Sequence, residues 1–249
     1  NLLIADAHLG LLKIDTAGVL SVLVDSVNST PVVYADDVDI AENGKVYFTD
    51  ATTKFSAKAF GGTLNASLLE ILEHRGNGRL IEYTPSTGKS KVIMDGLVFA
   101  NGVAVSHDQA SVLVNETGNY RVLRYWLGGP RSGQVDIVID NLPGFPDNIS
   151  AARNGGYYVG LASPRSSAVD KLADSPFLRK IVQRLPKLLR PQGQAYGHLI
   201  KISERGEIEL SLQDPTGAFP FTTGAIETDE ELYISSLTAT AVGVLGLKE

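Results

Sequence analysis

One pattern recurs four times and limits the fold more than any other feature of the chain. The segments VDIAENGKVYFTD from Val38, VAVSHDQASVLVNE from Val103, ISAARNGGYYVGL from Ile149 and GAIETDEELYISSL from Gly224 share one layout. Each is a short apolar strand, a polar turn such as Glu42-Asn43-Gly44, and a second strand rich in Val, Tyr, Ile and Leu. A tight polar turn between β-rich runs signals a hairpin. Further strands follow, as in Arg79-Leu80-Ile81-Glu82-Tyr83 and Ser90-Lys91-Val92-Ile93-Met94. Four antiparallel strands recurring at roughly 40 to 50 residues, plus insertions, are the grammar of β-propeller blades.

The opening residues LLIADA match the second strand of a blade, as VYFTDA from Val46 does, with no strand before them. The expected content is one blade lacking its first strand, three complete blades, and a last blade of three strands ending near Leu247. An open ring exposes strand edges, which folded proteins avoid. The native protein is therefore expected to carry an N-terminal piece of about a blade and a half. A smaller ring closing on these residues is the alternative.

Composition narrows the function. A net charge of −6 argues against a nucleic-acid partner, which needs a concentrated basic surface. With no cysteine, disulfides, zinc–thiolate sites and cysteine nucleophiles are excluded, while the compartment stays open. No apolar run approaches the roughly 18 residues that span a bilayer as a helix. Gly128-Gly129-Pro130 and Gly61-Gly62 lack the Lys and helix of a nucleotide loop. There is no Ser-centred nucleophile elbow.

In a propeller the innermost strand of each blade lines the channel. Two positions before each hairpin's first apolar residue stand Asp36, Asn101 and Asp147, with Asp37 and Asn148 one position on. In the last blade Thr223 has the same phase. Carboxylates gathered at an axis repel one another and are costly to desolvate. A hard cation resolves the conflict, and carboxylate and amide oxygens suit Ca²⁺ better than zinc or copper. Taken singly, each Asp or Asn reads as a turn cap; in phase over three blades, they read as a metal site.

Longer stretches carry a family likeness. FANGVAVS (Phe99 to Ser106), NETGNYRVLRYWLGGPRSG (Asn115 to Gly133) and DNLPGFPDNIS (Asp140 to Ser150) resemble strictosidine synthase-like proteins. ADDVDIAENGKVYFTDAT, SPFLRKIV and LQDPTG are similar to the branch of adipocyte plasma membrane-associated proteins. The resemblance implies a six-bladed propeller, here lacking the first blade and the first strand of the next. It also implies kinship with paraoxonases and gluconolactonases, whose catalytic calcium sits in the channel. Carried over by position, the calcium-binding Asn of the ANG motif falls on Asn101, and the Asp-Asn pair on Asp147 and Asn148. The Asn of the family's ND pair falls on Asp36, followed by Asp37, so a carboxylate replaces an amide. The Glu ligand expected on the first blade has no counterpart in this chain. The catalytic Glu of strictosidine synthase falls at Thr223, which disfavours that condensation.

The expected activity is a calcium-type, metal-dependent hydrolysis of small-molecule esters or lactones, arylesterase-like. The cation would act as a Lewis acid while a base activates water. His8, on a loop after its blade's second strand, is one candidate base and an ordinary surface histidine otherwise. Asp37 is another candidate, or else only orients Asp36. A non-catalytic propeller binding a small molecule or protein is the alternative from a different class.

Two insertions follow second strands, from Thr52 to about Gly78 and over residues 163–195. In the second, Leu178, Ile181, Val182, Leu185, Leu188 and Leu189 recur at helical spacing between Arg179, Lys180, Arg184 and Lys187. From Val169 to Arg190 there are six basic and two acidic residues. The stretch reads as an amphipathic helix with a solvated face, and also as a lid over the channel whose 169–190 segment contacts a membrane surface.

Overall fold

The computed structural model describes residues 1–172 and 175–247. Residues 173 and 174 of the predicted insertion lie outside the described residues, as does the side chain of Lys187.

Five antiparallel sheets follow one another along the chain. The first comprises β1 (Leu2–Asp6), β2 (Gly10–Ile14) and β3 (Leu20–Val24), followed by a two-stranded pair, β4 (Ser26–Val27) and β5 (Thr30–Pro31). The second sheet comprises β6 (Ala35–Ile40), β7 (Val46–Asp50), β8 (Gly78–Thr84) and β9 (Lys89–Leu97). Between β7 and β8 lie α1 (Ala57–Phe60) and α2 (Thr63–Glu73). The third sheet comprises β10 (Ala100–Val105), β11 (Ser111–Glu116), β12 (Arg121–Trp126) and β13 (Val135–Ile139). The fourth runs β14 (Gly144–Ala151), β15 (Tyr157–Pro164), β16 (Gly197–Ile202) and β17 (Ile208–Asp214), with α3 (Ser167–Lys171) and α4 (Pro176–Arg184) inserted after β15. The last comprises β18 (Thr222–Glu227), β19 (Glu231–Ser236) and β20 (Gly243–Gly246). Strand order within every sheet is sequential, so each is a meander, and the described residues form five blades of a β-propeller, the first and last three-stranded. The first blade lacks its innermost strand, as the LLIADA match required.

Local chemistry sets the hairpins. Between β6 and β7 the Asn43 carboxamide accepts the Lys45 amide, and Gly44 takes the positive φ of 79° that the turn demands. The second strands β7 and β11 are buried at every residue because neighbouring blades cover both faces, whereas β1 and β19, in the first and last blades, are mostly half-buried or exposed. Outer strands alternate toward solvent, as in β3 and β13.

The core sits between blades. Leu11, Val24, Phe48 and Ile81 join the first blade to the second. Tyr47, Leu80, Val103 and Val112 join the second to the third. Leu113, Ile149, Tyr157 and Ile200 join the third to the fourth, and Tyr158, Leu199, Ala225 and Leu232 the fourth to the fifth. A separate cluster of Tyr34, Phe55, Ala66, Leu69 and Phe99 seats α1 and α2 on one end of the ring. The first insertion is thus helical. The second is helical within the span predicted, and α4 packs against α2, with Gln183 Nε2 donating to the Leu69 carbonyl at 3.2 Å.

Candidate functional site at the channel end

Each innermost strand carries a bulge at the same level. Pairing of β6 with β7 shifts between Ala35 and Val38, of β10 with β11 between Ala100 and Val103, and of β14 with β15 between Pro146 and Ile149. The β18–β19 pair shifts between Thr222 and Gly224. A bulge places two residues opposite one and re-aims their side chains. The bulged residues are Asp36-Asp37, Asn101-Gly102, Asp147-Asn148 and Thr223.

An acid on the second strand fixes the approach to two of these bulges. Asp50 pairs with Arg79 at 2.8 Å and accepts the Tyr34 amide at 3.0 Å. Glu116 pairs with Arg121 at 2.5 Å and accepts the Val98 amide at 2.8 Å. Both acids are essentially buried, so each pair clamps the chain just before it enters the channel. Phe99 and Phe221 then take positive φ before β10 and β18.

The two residues of each bulge face different ways. Asp36, Asn101 and Asp147 line one cavity of about 510 Å³ at this end of the ring, together with Tyr34, Phe99 and Phe145. Their neighbours face the next blade. Asp37 Oδ2 accepts the Val103 amide at 2.9 Å and its Oδ1 the Val38 amide at 2.9 Å. Asp39, two residues on, accepts the Val105 amide at 2.7 Å. A Cβ on Gly102 would meet the Ile149 nitrogen at 2.5 Å, and one on Gly224 would meet Asn148 Cβ at 3.1 Å. Asp37 and Asn148, both expected at the site, therefore stand between blades and do not line the cavity. His8, the other expected base, is exposed beside a turn whose amides bond to Asp6, and it too is absent from the cavity wall. Thr223 is buried and shares a 2.6 Å hydrogen bond with Ser235.

The electrostatics are those of crowded, dry carboxylates. Burial pushes Asp36 well above the usual range, and the charges of Asp147, Asp37 and Asp50 add to it. Asp147 is pushed up to about 7, again mainly by burial, against a lowering hydrogen bond from Asn101. Asp37 rises to about 6 because its burial outweighs its two amide bonds. Two oxygens on the cavity wall, Asp36 Oδ2 and Asn101 Oδ1, are buried without a hydrogen-bond partner. Unmatched buried acceptors are costly and need a donor or a cation. The donor set is two carboxylates and an amide, all hard oxygens, which fits Ca²⁺ in kind. Among the described residues no group of three or more His, Cys, Asp or Glu could hold a metal ion; the channel-end set is two carboxylates and one amide.

Tyr34 escaped the sequence reading. It stands two positions before Asp36, lines the cavity, and packs edge-on against Phe99 at 5.4 Å. Burial and the Asp36 charge hold its phenol protonated, and its hydroxyl bonds with Thr63 at the start of α2. The roof is built by the insertions: Thr63, Leu64, Leu68 and Ile71 from one, Ser163, Val169 and Pro191 from the other. Among the described residues the wall includes no Lys, Arg or His.

Known proteins share this chain's sequence and shape. The strictosidine synthase family profile matches residues 36–130, which include Asp36 and Asn101. Strictosidine synthase-like protein 13 of Arabidopsis thaliana is 37% identical over 87% of the chain and 53% of its own length. The adipocyte plasma membrane-associated protein of Rattus norvegicus is 32% identical over 100% of the chain and 67% of its own length. The chain thus spans about half to two thirds of these relatives. Among solved structures, a gluconolactonase of Xanthomonas campestris superposes with a TM-score of 0.61 at 14% identity, covering 92% of this chain and 63% of that one. The calcium-binding protein regucalcin of Agrobacterium tumefaciens gives 0.59 at 16%, covering 96% and 65%. At such identities the likeness is one of fold.

Proposed function

The chain belongs to the strictosidine synthase-like family, and from that premise we propose that it is a calcium-type, metal-dependent hydrolase of small-molecule esters or lactones acting in the channel-end cavity. The observation that carries the reading is the pair of buried, unpartnered oxygens, Asp36 Oδ2 and Asn101 Oδ1, on a cavity wall shared with Asp147. The calcium-binding regucalcin and the gluconolactonase that share the fold support it.

Asp36, Asn101 and Asp147 would hold the ion. When bound, Ca²⁺ supplies Lewis acidity toward a carbonyl oxygen and offsets the mutual repulsion of the two carboxylates. The chain's own residues do the rest. With no histidine among the described wall residues, a carboxylate of the set, Asp36 or Asp147, must take the proton of an attacking water through an oxygen not turned to the ion. The Tyr34 phenol, kept protonated, is placed to donate to an oxyanion as it develops. Phe99, Phe145, Leu68 and Ile71 exclude water and receive the apolar part of the substrate. Thr223, bound to Ser235, offers no carboxylate for an amine–aldehyde condensation.

The test is hydrolysis of an aryl ester and of a simple lactone by the purified chain, before and after chelation, alongside Asn101→Ala. The reading expects activity that chelation abolishes, calcium restores and Asn101→Ala reduces by at least about a hundredfold. Full activity in chelator would overturn it. Calcium binding with no hydrolysis of either substrate would instead favour the non-catalytic propeller.

A further inference from the structure

The lid carries more exposed apolar surface than a roof needs. Phe177 is 74% exposed and Leu188 96% exposed, with Leu178, Ile181 and Leu189 also open to solvent. None of these five lines the cavity. Exposed Lys180 and Arg184 stand among them on the same short helix and the turn after it, in a protein whose net charge is −6. The neighbouring insertion adds exposed Phe60 and Leu64 beside Lys58. Leu64 and Leu237 are both exposed and on the cavity wall, so the cavity's rim belongs to the same end of the ring. Large apolar side chains in one patch, bordered by cations, mark an interaction surface.

We propose that this lid face docks on an anionic lipid surface, with Phe177, Ile181, Leu188 and Leu189 entering the headgroup region and Lys180 and Arg184 meeting lipid charge. Charge complementarity chooses the occupant. A helix with bulky apolar residues on one side and Lys or Arg beside them binds in the plane of an interface, and each cation adds to the attraction of anionic lipid. A second copy docked through the same face would set Lys180 and Arg184 against their own counterparts, like charge against like. No helix among the described residues is long and apolar enough to cross a membrane, so this contact lies on the surface and does not span it. Because the rim residues Leu64 and Leu237 share that face, a docked molecule opens its cavity toward the bilayer. The docking stands independently of the reaction proposed above.

Flotation of the full chain with vesicles tests it directly. Vesicles of about three parts phosphatidylcholine to one part phosphatidylserine should carry the protein up the gradient, and phosphatidylcholine alone should do so at least about tenfold more weakly. High salt should lower binding to the anionic vesicles. The double variant Phe177→Ser with Leu188→Ser, and separately Lys180→Glu with Arg184→Glu, should each lose binding by about tenfold or more. Far-ultraviolet circular dichroism of each variant should remain that of the parent. Equal flotation of parent and variants, or no flotation of the parent, overturns the proposal. So does a parent that sediments as a dimer and becomes monomeric in the Phe177/Leu188 variant without lipid, since the face would then be a contact between copies.

Discussion

Asp37 reaches from one innermost strand to the next, its Oδ2 accepting the Val103 amide at 2.9 Å while Asp36, one residue earlier, faces the cavity. The contact makes Asp37 a staple between the second and third blades. Replacing it with Ala leaves two backbone amides without their acceptor, at a cost of about 1–3 kcal/mol. Urea unfolding should show that loss. The folded fraction should keep its hydrolytic rate within a fewfold; a drop of about a hundredfold or more would restore Asp37 as the base.

Removal of the ion should reverse the usual pH trend of a protein stabilised by salt bridges. Asp37 stands at about 6 and Asp147 at about 7, and burial also pushes Asp36 well up, all above the usual value of about 4 for a free carboxyl. A raised folded pKa contributes stability that is complete below the unfolded pKa and lost as pH climbs through the folded one. The chelated protein should therefore have a higher Tm at about pH 5 than at about pH 8, read by calorimetry. Calcium should add most at the higher pH, where protons no longer compete. A chelated protein that gains stability from about pH 5 to about pH 8 would contradict this.

Asn101→Ala separates ligand from scaffold. The side chain has an unpartnered oxygen and makes one hydrogen bond, to Asp147, so its loss should cost the chelated protein only about 1 kcal/mol. The calcium-induced rise in Tm, which follows ligand occupancy, should shrink or vanish. An undiminished rise places the ion elsewhere.

Much of this site is legible in the sequence, because the bulge recurs in register. Val38, Val103 and Ile149 each follow their Asp or Asn by two residues, so Asp36, Asn101 and Asp147 fall in phase without any structure. What period-two alternation does not resolve is which member of Asp36-Asp37 or Asp147-Asn148 faces the axis, since a bulge breaks that alternation. The acid clamps Asp50–Arg79 and Glu116–Arg121 were equally hidden, their partners being 29 and 5 residues apart. Helix α2 could have been read from Leu64, Leu68, Ile71 and Leu72, an apolar stripe at helical spacing in TLNASLLEILE. His8 lies off the cavity wall because a loop at one end of a ring does not fix the direction of its side chain.

Gly102 supplies a severe test of how closely the blades meet. A Cβ there would come within 2.5 Å of the Ile149 nitrogen and 2.6 Å of the Asp147 carbonyl oxygen, and both are backbone atoms that cannot swing aside. Gly102→Ala should cost about 3 kcal/mol or more, seen as low soluble yield or a Tm lowered by about ten degrees. Gly128→Ala, with open space around its Cβ, is the matched control and should fold as the parent does.

The two-residue bulge divides labour between adjacent positions. One side chain meets the substrate space while its neighbour meets the adjoining blade, so the reacting groups can be exchanged, one per blade, without loosening the ring. Architecture and chemistry can then vary separately, and Thr223, seated at the level where other blades present Asp or Asn, is a position where a different group is accommodated without a change in the bulge.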